Sequence, residues 1–210
     1  MEQKFFNYKL KPHLEIYDYF VGNSNIKSFN TLIKSNNMDN NFFLYGPNKS
    51  GKTHLGLIWK KKFDALSYNN NLVEIINYKR NIFIDDIFNN INEEEIFHLI
   101  NHCNLNKLKL LVTSHIFLNE HIFRFEDLSS RLKTFINIQI DLPDDELLLN
   151  LMIKLFNDKQ IIIKNPEIFN FILRRVQRSY EKIFLFIEKI DKLSLTKKRQ
   201  LTIPLIRELI

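Results

Sequence analysis

Phe42-Phe43-Leu44-Tyr45-Gly46-Pro47-Asn48-Lys49-Ser50-Gly51-Lys52-Thr53 joins a short apolar run to a polar turn bounded by glycines. An uninterrupted apolar run that stops at a glycine reads as a buried central strand before a turn. Gly46 to Thr53 fit the spacing Gly, four residues, Gly-Lys-Thr, and helical character resumes at Lys52. Gly46 and Gly51 permit backbone angles that other residues resist, so the N–H groups of Asn48, Lys49, Ser50 and Gly51, after the Pro47 turn that has none, converge on a phosphate with those of the helix start. In this reading Lys52 neutralises the β and γ phosphates of ADP or ATP, and the Thr53 hydroxyl is a ligand for Mg²⁺. The flanking strand and helix separate such a loop from a chance match to a short pattern.

Outward from this motif, Ile82-Phe83-Ile84 ends in Asp85-Asp86, and Leu108 to Thr113 forms another apolar strand after a helical spacing from Glu93 to Cys103. Upstream, a helix is expected from Ser24, read as its N-cap, to Ile33, followed by an Asn-rich loop from Ser35 to Asn41. Strands alternating with helical segments predict an α/β fold with a parallel sheet flanked by helices. After Asp144 no comparable strand occurs. Glu146 to Phe156, Pro166 to Val176, Ser179 to Leu193 and Pro204 to Ile210 read as helices of a small C-terminal α-helical lid domain. The expected division is 1–20 as lead-in, 21–142 as nucleotide-binding domain and 143–210 as lid.

Asp85 and Asp86 fall at the carboxyl edge of the predicted sheet, where α/β folds bind ligands. Asp85 is the candidate to hold Mg²⁺ through water, and Asp86 the candidate catalytic residue that orients an attacking water. Adjacent acids after a strand also serve as ordinary turn and cap residues.

The 210 residues carry a formal charge of +6, with 45% apolar residues and only 4 Gly and 5 Pro, a folded rather than a disordered profile. Basic residues are dispersed among acids, and the runs Lys60-Lys61-Lys62 and Lys197-Lys198-Arg199 read as solvated helix ends. Cys103 stands alone, so an intramolecular disulfide is impossible. No apolar run approaches the length of a membrane span, the first residues lack a signal-peptide core, and a cytoplasmic protein without a membrane partner is expected. His98 and His102 lie at helical spacing beside Cys103, yet no second ligand pair follows, and a metal site there is not expected.

Leu110 to Ser114 resembles the sensor 1 strand of AAA+ proteins, whose last polar residue faces the γ-phosphate, and Ser129-Ser130-Arg131-Leu132 resembles their arginine-finger box. With Asp18 to Asn25, the phosphate loop followed by His54-Leu55, and Ile84-Asp85-Asp86-Ile87, these blocks occur in the order seen in the replication initiator DnaA. The tail from Leu195, including Leu201-Thr202-Ile203-Pro204, is similar to the Hda-type regulatory inactivators of DnaA. The short interval between phosphate loop and acid pair is similar to compact alphaproteobacterial members.

The resemblance implies an AAA+ domain that binds ADP or ATP with Mg²⁺, through Gly46 to Thr53 together with Val21, His54 and Arg178. It implies docking on the sliding clamp, the β subunit of DNA polymerase III, with DNA reached indirectly through that clamp. It also implies promotion of ATP hydrolysis on DnaA, with Arg131 as the finger acting in trans, and it leaves homo-oligomers open. Arg131 as a surface residue paired with Glu126 or Asp127 is the plainer alternative. Clamp binding falls on Gln3, Phe6 and Tyr8, although Lys4 stands where leucine is expected and the segment also suits folding back on its own domain. Glu181 replaces the lid arginine of DnaA, with Arg178 three residues earlier expected on the same helical face. His115 replaces an aspartate. Both departures point to slow intrinsic hydrolysis; the competing reading is an autonomous AAA+ ATPase such as a helicase loader.

Overall fold

The computed structural model describes residues 14–34, 40–90, 92–197 and 200–209. Helix α1 (Ile26–Phe29) continues into a π-helical turn over Asn30–Lys34 and leads to five strands: β1 (Phe42–Tyr45), β2 (Leu66–Ser67), β3 (Ile82–Ile84), β4 (Leu110–Ser114) and β5 (Ile136–Gln139). They form one sheet in the order β2-β3-β4-β1-β5, and every pairing is parallel. Parallel neighbours require crossovers, and these contain α2 (Lys52–Lys62), α3 (Leu72–Asn77), α4 (Ile87–Asn90), α5 (Glu93–Asn106) and α6 (Glu126–Lys133).

The continuous apolar character of β1 follows from its position between β4 and β5 with both faces covered. Phe42 and Leu44 enter one core with Leu55, Trp59 and Leu111. Phe43 enters the opposite core with Ile82, Ile84, Leu110 and Val112, against Ile96, Leu99 and Ile100 of α5. Each such fully buried side chain contributes roughly 1.5–3 kcal/mol of burial free energy.

The C-terminal helices α7 (Asp145–Asp158), α8 (Glu167–Leu173), α9 (Tyr180–Lys197) and α10 (Ile203–Arg207) enclose a third core around Leu148, Met152, Phe156, Ile172, Ile187 and Ile206. Asp144 starts α7 by accepting the Leu147 N–H at 2.7 Å, an N-cap of the ordinary acidic kind. Adjacent residues then split between cores, Leu147 packing with the sheet and Leu148 with the helices. α7 is thus the hinge of packing between the two parts.

The expected parallel sheet and helical lid are both present, with local differences. Ser24 is not the cap of α1: Asn25 precedes the helix, and the Ser24 hydroxyl lies 3.1 Å from the Tyr180 hydroxyl instead. Leu108 is not in β4, because its N–H closes the end of α5 on the Cys103 carbonyl after Lys107 turns left-handed at φ 55°. β2 and β5 are short edge strands, and β5 alternates polar and apolar residues in only four positions, too few to stand out in the sequence. The Lys60-Lys61-Lys62 run does close a helix, α2. No described helix is long and apolar enough to cross a membrane.

Candidate nucleotide site and its arginine

β1 delivers the chain to Gly46 at the carboxyl edge of the sheet. A Cβ on Gly46 would meet the Ile140 carbonyl oxygen at 2.7 Å, so close approach to the end of β5 excludes any larger residue. The loop then turns through Lys49 at φ 63° and Gly51 at φ 91°, both left-handed. Gly51 serves as the N-cap of α2, which leaves the first N–H groups of that helix facing the loop. Lys52 Nζ donates to the Gly46 and Pro47 carbonyls at 2.8 Å each. Burial lowers the pKa of Lys52, and the charges of Asp86 and Asp85 partly offset this.

β3 places Asp85 across from α2, where the Thr53 hydroxyl donates to both of its carboxylate oxygens at 2.9 and 3.1 Å. The approach of α2 to β3 requires Gly56, whose Cβ would stand 2.3 Å from the Phe83 ring. β4 contributes Thr113. Its hydroxyl donates to Asp85 Oδ1 at 2.7 Å and accepts the Asp86 N–H at 2.8 Å. Asp86 adopts φ 53°, and its two oxygens meet Asn89 Nδ2 at 2.7 Å and His115 Nδ1 at 3.2 Å. The acid pair therefore faces two different environments: Asp85 is joined to Thr53 and Thr113, Asp86 to Asn89 and His115. The sequence motifs carry no mark at Thr113 or Asn89, and the resemblance places the sensor role on the last polar residue of the strand. Ser114 is that residue, and its hydroxyl accepts the Ile116 N–H in the following turn.

These residues suit a magnesium-bound nucleoside phosphate. Thr53 and Asp85 meet as a shared pair of oxygen donors, the cationic Lys52 spans the loop, and the buried Ser50 hydroxyl within the loop has no hydrogen-bond partner. Among the described residues, no group of three or more His, Cys, Asp and Glu side chains is placed to hold a metal ion.

Beside the loop lies a small pocket between sheet and lid, lined by Tyr19, Phe20, Lys49, Gly51, His54, Leu147, Lys154 and Tyr180 among others. A lead-in segment roofs it and is tied on both sides. His54 Nε2 meets the Glu15 carbonyl at 2.9 Å, and Lys154 on α7 donates to the Asp18 carbonyl at 2.8 Å. Lys49 lies 4.5 Å from the Phe184 ring of α9, so the phosphate loop itself touches the lid.

Arg131 occupies the last turn of α6. Its guanidinium carbon lies 4.7 Å from the centre of the Phe97 ring on α5. No described carboxylate is within ion-pair distance of it, and its pairing with Glu126 or Asp127 does not occur.

The Hda lid-domain family matches residues 154–210. The DnaA protein of Buchnera aphidicola is 24% identical over 241 residues, which cover 99% of this chain and 55% of that relative, so the chain spans about half its length. Domain III of Thermotoga maritima DnaA superimposes with a TM-score of 0.77 at 18% identity, covering 96% of this chain and 97% of that one. The chain thus carries an Hda-type lid on a fold shared with DnaA domain III. The AAA+ fold is shared further with AMPPCP-bound DnaA from Aquifex aeolicus, at a TM-score of 0.67 and 19% identity over 89% of this chain and 67% of that one.

Within this DnaA-like fold, the phosphate loop, the acid pair and His54 lie at one end of the sheet, and two of the remaining candidate residues stand apart from them. Val21 is 43% exposed and lies outside the pocket lining, where the preceding Tyr19 and Phe20 stand. Arg178 is not on the face of α9, which begins only at Tyr180; it sits in the preceding turn and pairs with Asp145 at 2.8 Å. An arginine held by a carboxylate at the base of α7 has its fork already occupied. Gln3, Phe6 and Tyr8 lie outside the described residues.

Proposed function

We propose that this AAA+ protein is a negative regulator of chromosomal replication initiation, which binds ADP or ATP with Mg²⁺ and promotes hydrolysis of ATP held by DnaA. The observation that carries this reading is Arg131: a half-exposed guanidinium, stacked on Phe97 and without an ion-pair partner among the described residues, on the same chain as a phosphate loop. Fixed positive charge aimed at a partner's γ-phosphate stabilises the charge that spreads over its oxygens in the transition state. Stacking on an aromatic ring holds the planar group without consuming its hydrogen-bond donors.

In this chain's own site, Gly46 to Thr53 cradle the phosphates, Lys52 supplies charge, and Thr53 with Asp85 holds Mg²⁺, whose role is to neutralise phosphate charge. Asp86 is the candidate to orient water, but its carboxylate is shared between Asn89 and His115. That sharing supports slow intrinsic turnover, with the nucleotide acting mainly on structure. The proposed division is a lead-in over 1–20, an AAA+ domain over 21–142 and a lid over 143–210. Gln3, Phe6 and Tyr8 are proposed to engage the sliding clamp, which brings the protein to DNA in the cytoplasm.

The test is phosphate release from ATP-loaded DnaA in the presence of DNA-loaded clamp, with and without this protein. Stimulation that requires all three components is expected. Rapid ATP turnover by the isolated protein, with no effect on DnaA, identifies an autonomous ATPase instead.

A further inference from the structure

The lid carries a basic surface that belongs neither to the nucleotide pocket nor to Arg131. Arg174 is the C-cap of α8 and Arg175 follows it, and α10 has Arg207 in its last turn. Folding brings these separate segments onto one aromatic ring. The Arg175 guanidinium carbon lies 3.9 Å from the centre of Phe171, and that of Arg207 lies 5.8 Å from it. Phe171 is itself buried at 8% exposure, while Arg174, Arg175 and Arg207 are all exposed. Among the described residues, none of the three arginines is in an ion pair; the acid next to Arg207, Glu208, is engaged by Lys197.

Helix ends attract arginines for local reasons, since a cation there offsets the partial negative charge of the last carbonyls. That explains one arginine at each terminus. It does not require two termini to present their cations over one ring, where mutual repulsion opposes the arrangement. A ring under a guanidinium restricts its motion yet leaves its edge N–H groups turned outward, a geometry suited to the oxygens of phosphate.

We propose that this arginine face of the lid binds the phosphate backbone of duplex DNA directly. A nucleic-acid backbone fits better than an acidic protein surface. The ring beneath the arginines is packed into the lid core, so it is not itself an exposed aromatic anchor of the kind that dominates protein interfaces. The chain's formal charge of +6 also favours a polyanion. This contact is independent of DnaA and of Arg131.

The experiment measures binding of the whole protein to a duplex of about 20 base pairs as salt is varied, with Arg175→Gln combined with Arg207→Gln. Loss of two phosphate contacts is expected to reduce the slope of log affinity against log salt by about 1.8 and to weaken binding by tenfold or more near 0.1 M salt, about the range set by counterion release. Lys79→Gln with Lys107→Gln removes the same charge from exposed positions on the sheet side and is expected to leave the slope unchanged. Should the glutamine pair at 175 and 207 melt early, Arg175→Lys with Arg207→Lys serves in its place: it retains the slope and loses affinity through the missing fork. The proposal is overturned by equal losses from the two glutamine pairs, by no loss from the arginine pair, by failure of the parent protein to bind duplex, or by equal affinity for a polyglutamate chain.

Discussion

The acid pair and Arg131 are both polar elements at the surface of one sheet-and-helix layer, yet they are held in opposite ways. Asp85 and Asp86 are enclosed in a mesh of hydrogen bonds from Thr53, Thr113, Asn89 and His115, drawn from α2, α4, β4 and its following turn. Arg131 is held by a ring beneath it and by no described carboxylate. A mesh satisfies its members internally and is sensitive to any shift of the elements that supply it. A stacked cation keeps its donors for something outside the chain. The first arrangement suits a site that binds its own ligand, the second a group offered to a neighbour.

Breaking the second arrangement has the largest expected effect. Arg131→Ala should abolish most stimulation of ATP hydrolysis on DnaA, a loss of about 10³- to 10⁵-fold, equivalent to roughly 4–7 kcal/mol. Its unfolding midpoint should hardly move, since one exposed cation–π contact is worth about 0.5–1 kcal/mol. Lysine should restore little, because a point charge lacks the planar fork. Full stimulation by the alanine variant would falsify the assignment of Arg131.

The mesh is tested through the packing that aligns it. Gly56→Ala places a methyl group against the buried Phe83 ring and pushes α2 from β3. The expected cost is about 1–3 kcal/mol of stability, reduced by the roughly 0.5–1 kcal/mol that alanine gains over glycine in a helix. Urea denaturation gives the number; a midpoint above that of the parent would mean that α2 and β3 do not approach as described.

Lys52→Ala distinguishes charge from scaffold within the same region. Affinity for ADP or ATP should fall tenfold or more, about 1.4 kcal/mol, while Arg131-dependent stimulation is reduced only as far as the bound nucleotide supports the fold. Calorimetry on both proteins decides, and equal affinities would remove the phosphate loop from the binding site.

The smallest effect concerns the roof of the pocket. Burial holds the His54 pKa below its ordinary 6.5, with the bond to the Glu15 carbonyl acting the other way. The unfolded chain therefore takes up a proton near that value while the folded chain still resists. The resulting stability is present above the unfolded pKa and is lost as pH falls through the lower, folded one. Thermal melts taken from about pH 7.5 down to 5 should show this acid-side loss, and His54→Gln should flatten it. An unchanged profile in the glutamine variant would assign the acid sensitivity to other groups.

Sequence alone determined those parts whose chemistry is local. Gly46, Gly51, Lys52 and Thr53 are legible because a phosphate cradle needs particular residue types at fixed spacing, and β1, β3 and most of β4 because doubly covered strands must be continuously apolar. The lid helices show in the apolar spacing from Glu146 onward for the same reason. Tertiary structure alone decided the partners. Thr113 reaches the acid pair from 27 residues away, and only the sheet order tells which polar residue at the end of β4 turns toward β3. Arg178 was misplaced because the start of α9 at Tyr180 depends on how that tyrosine packs and bonds, its hydroxyl reaching Ser24 and the Asp141 carbonyl. Arg175 and Arg207 meet on Phe171 only when α8 and α10 share the lid core. Local spacing fixes which groups a segment can offer; long-range packing fixes what each group faces, because contact across the fold carries no signature in the intervening chain.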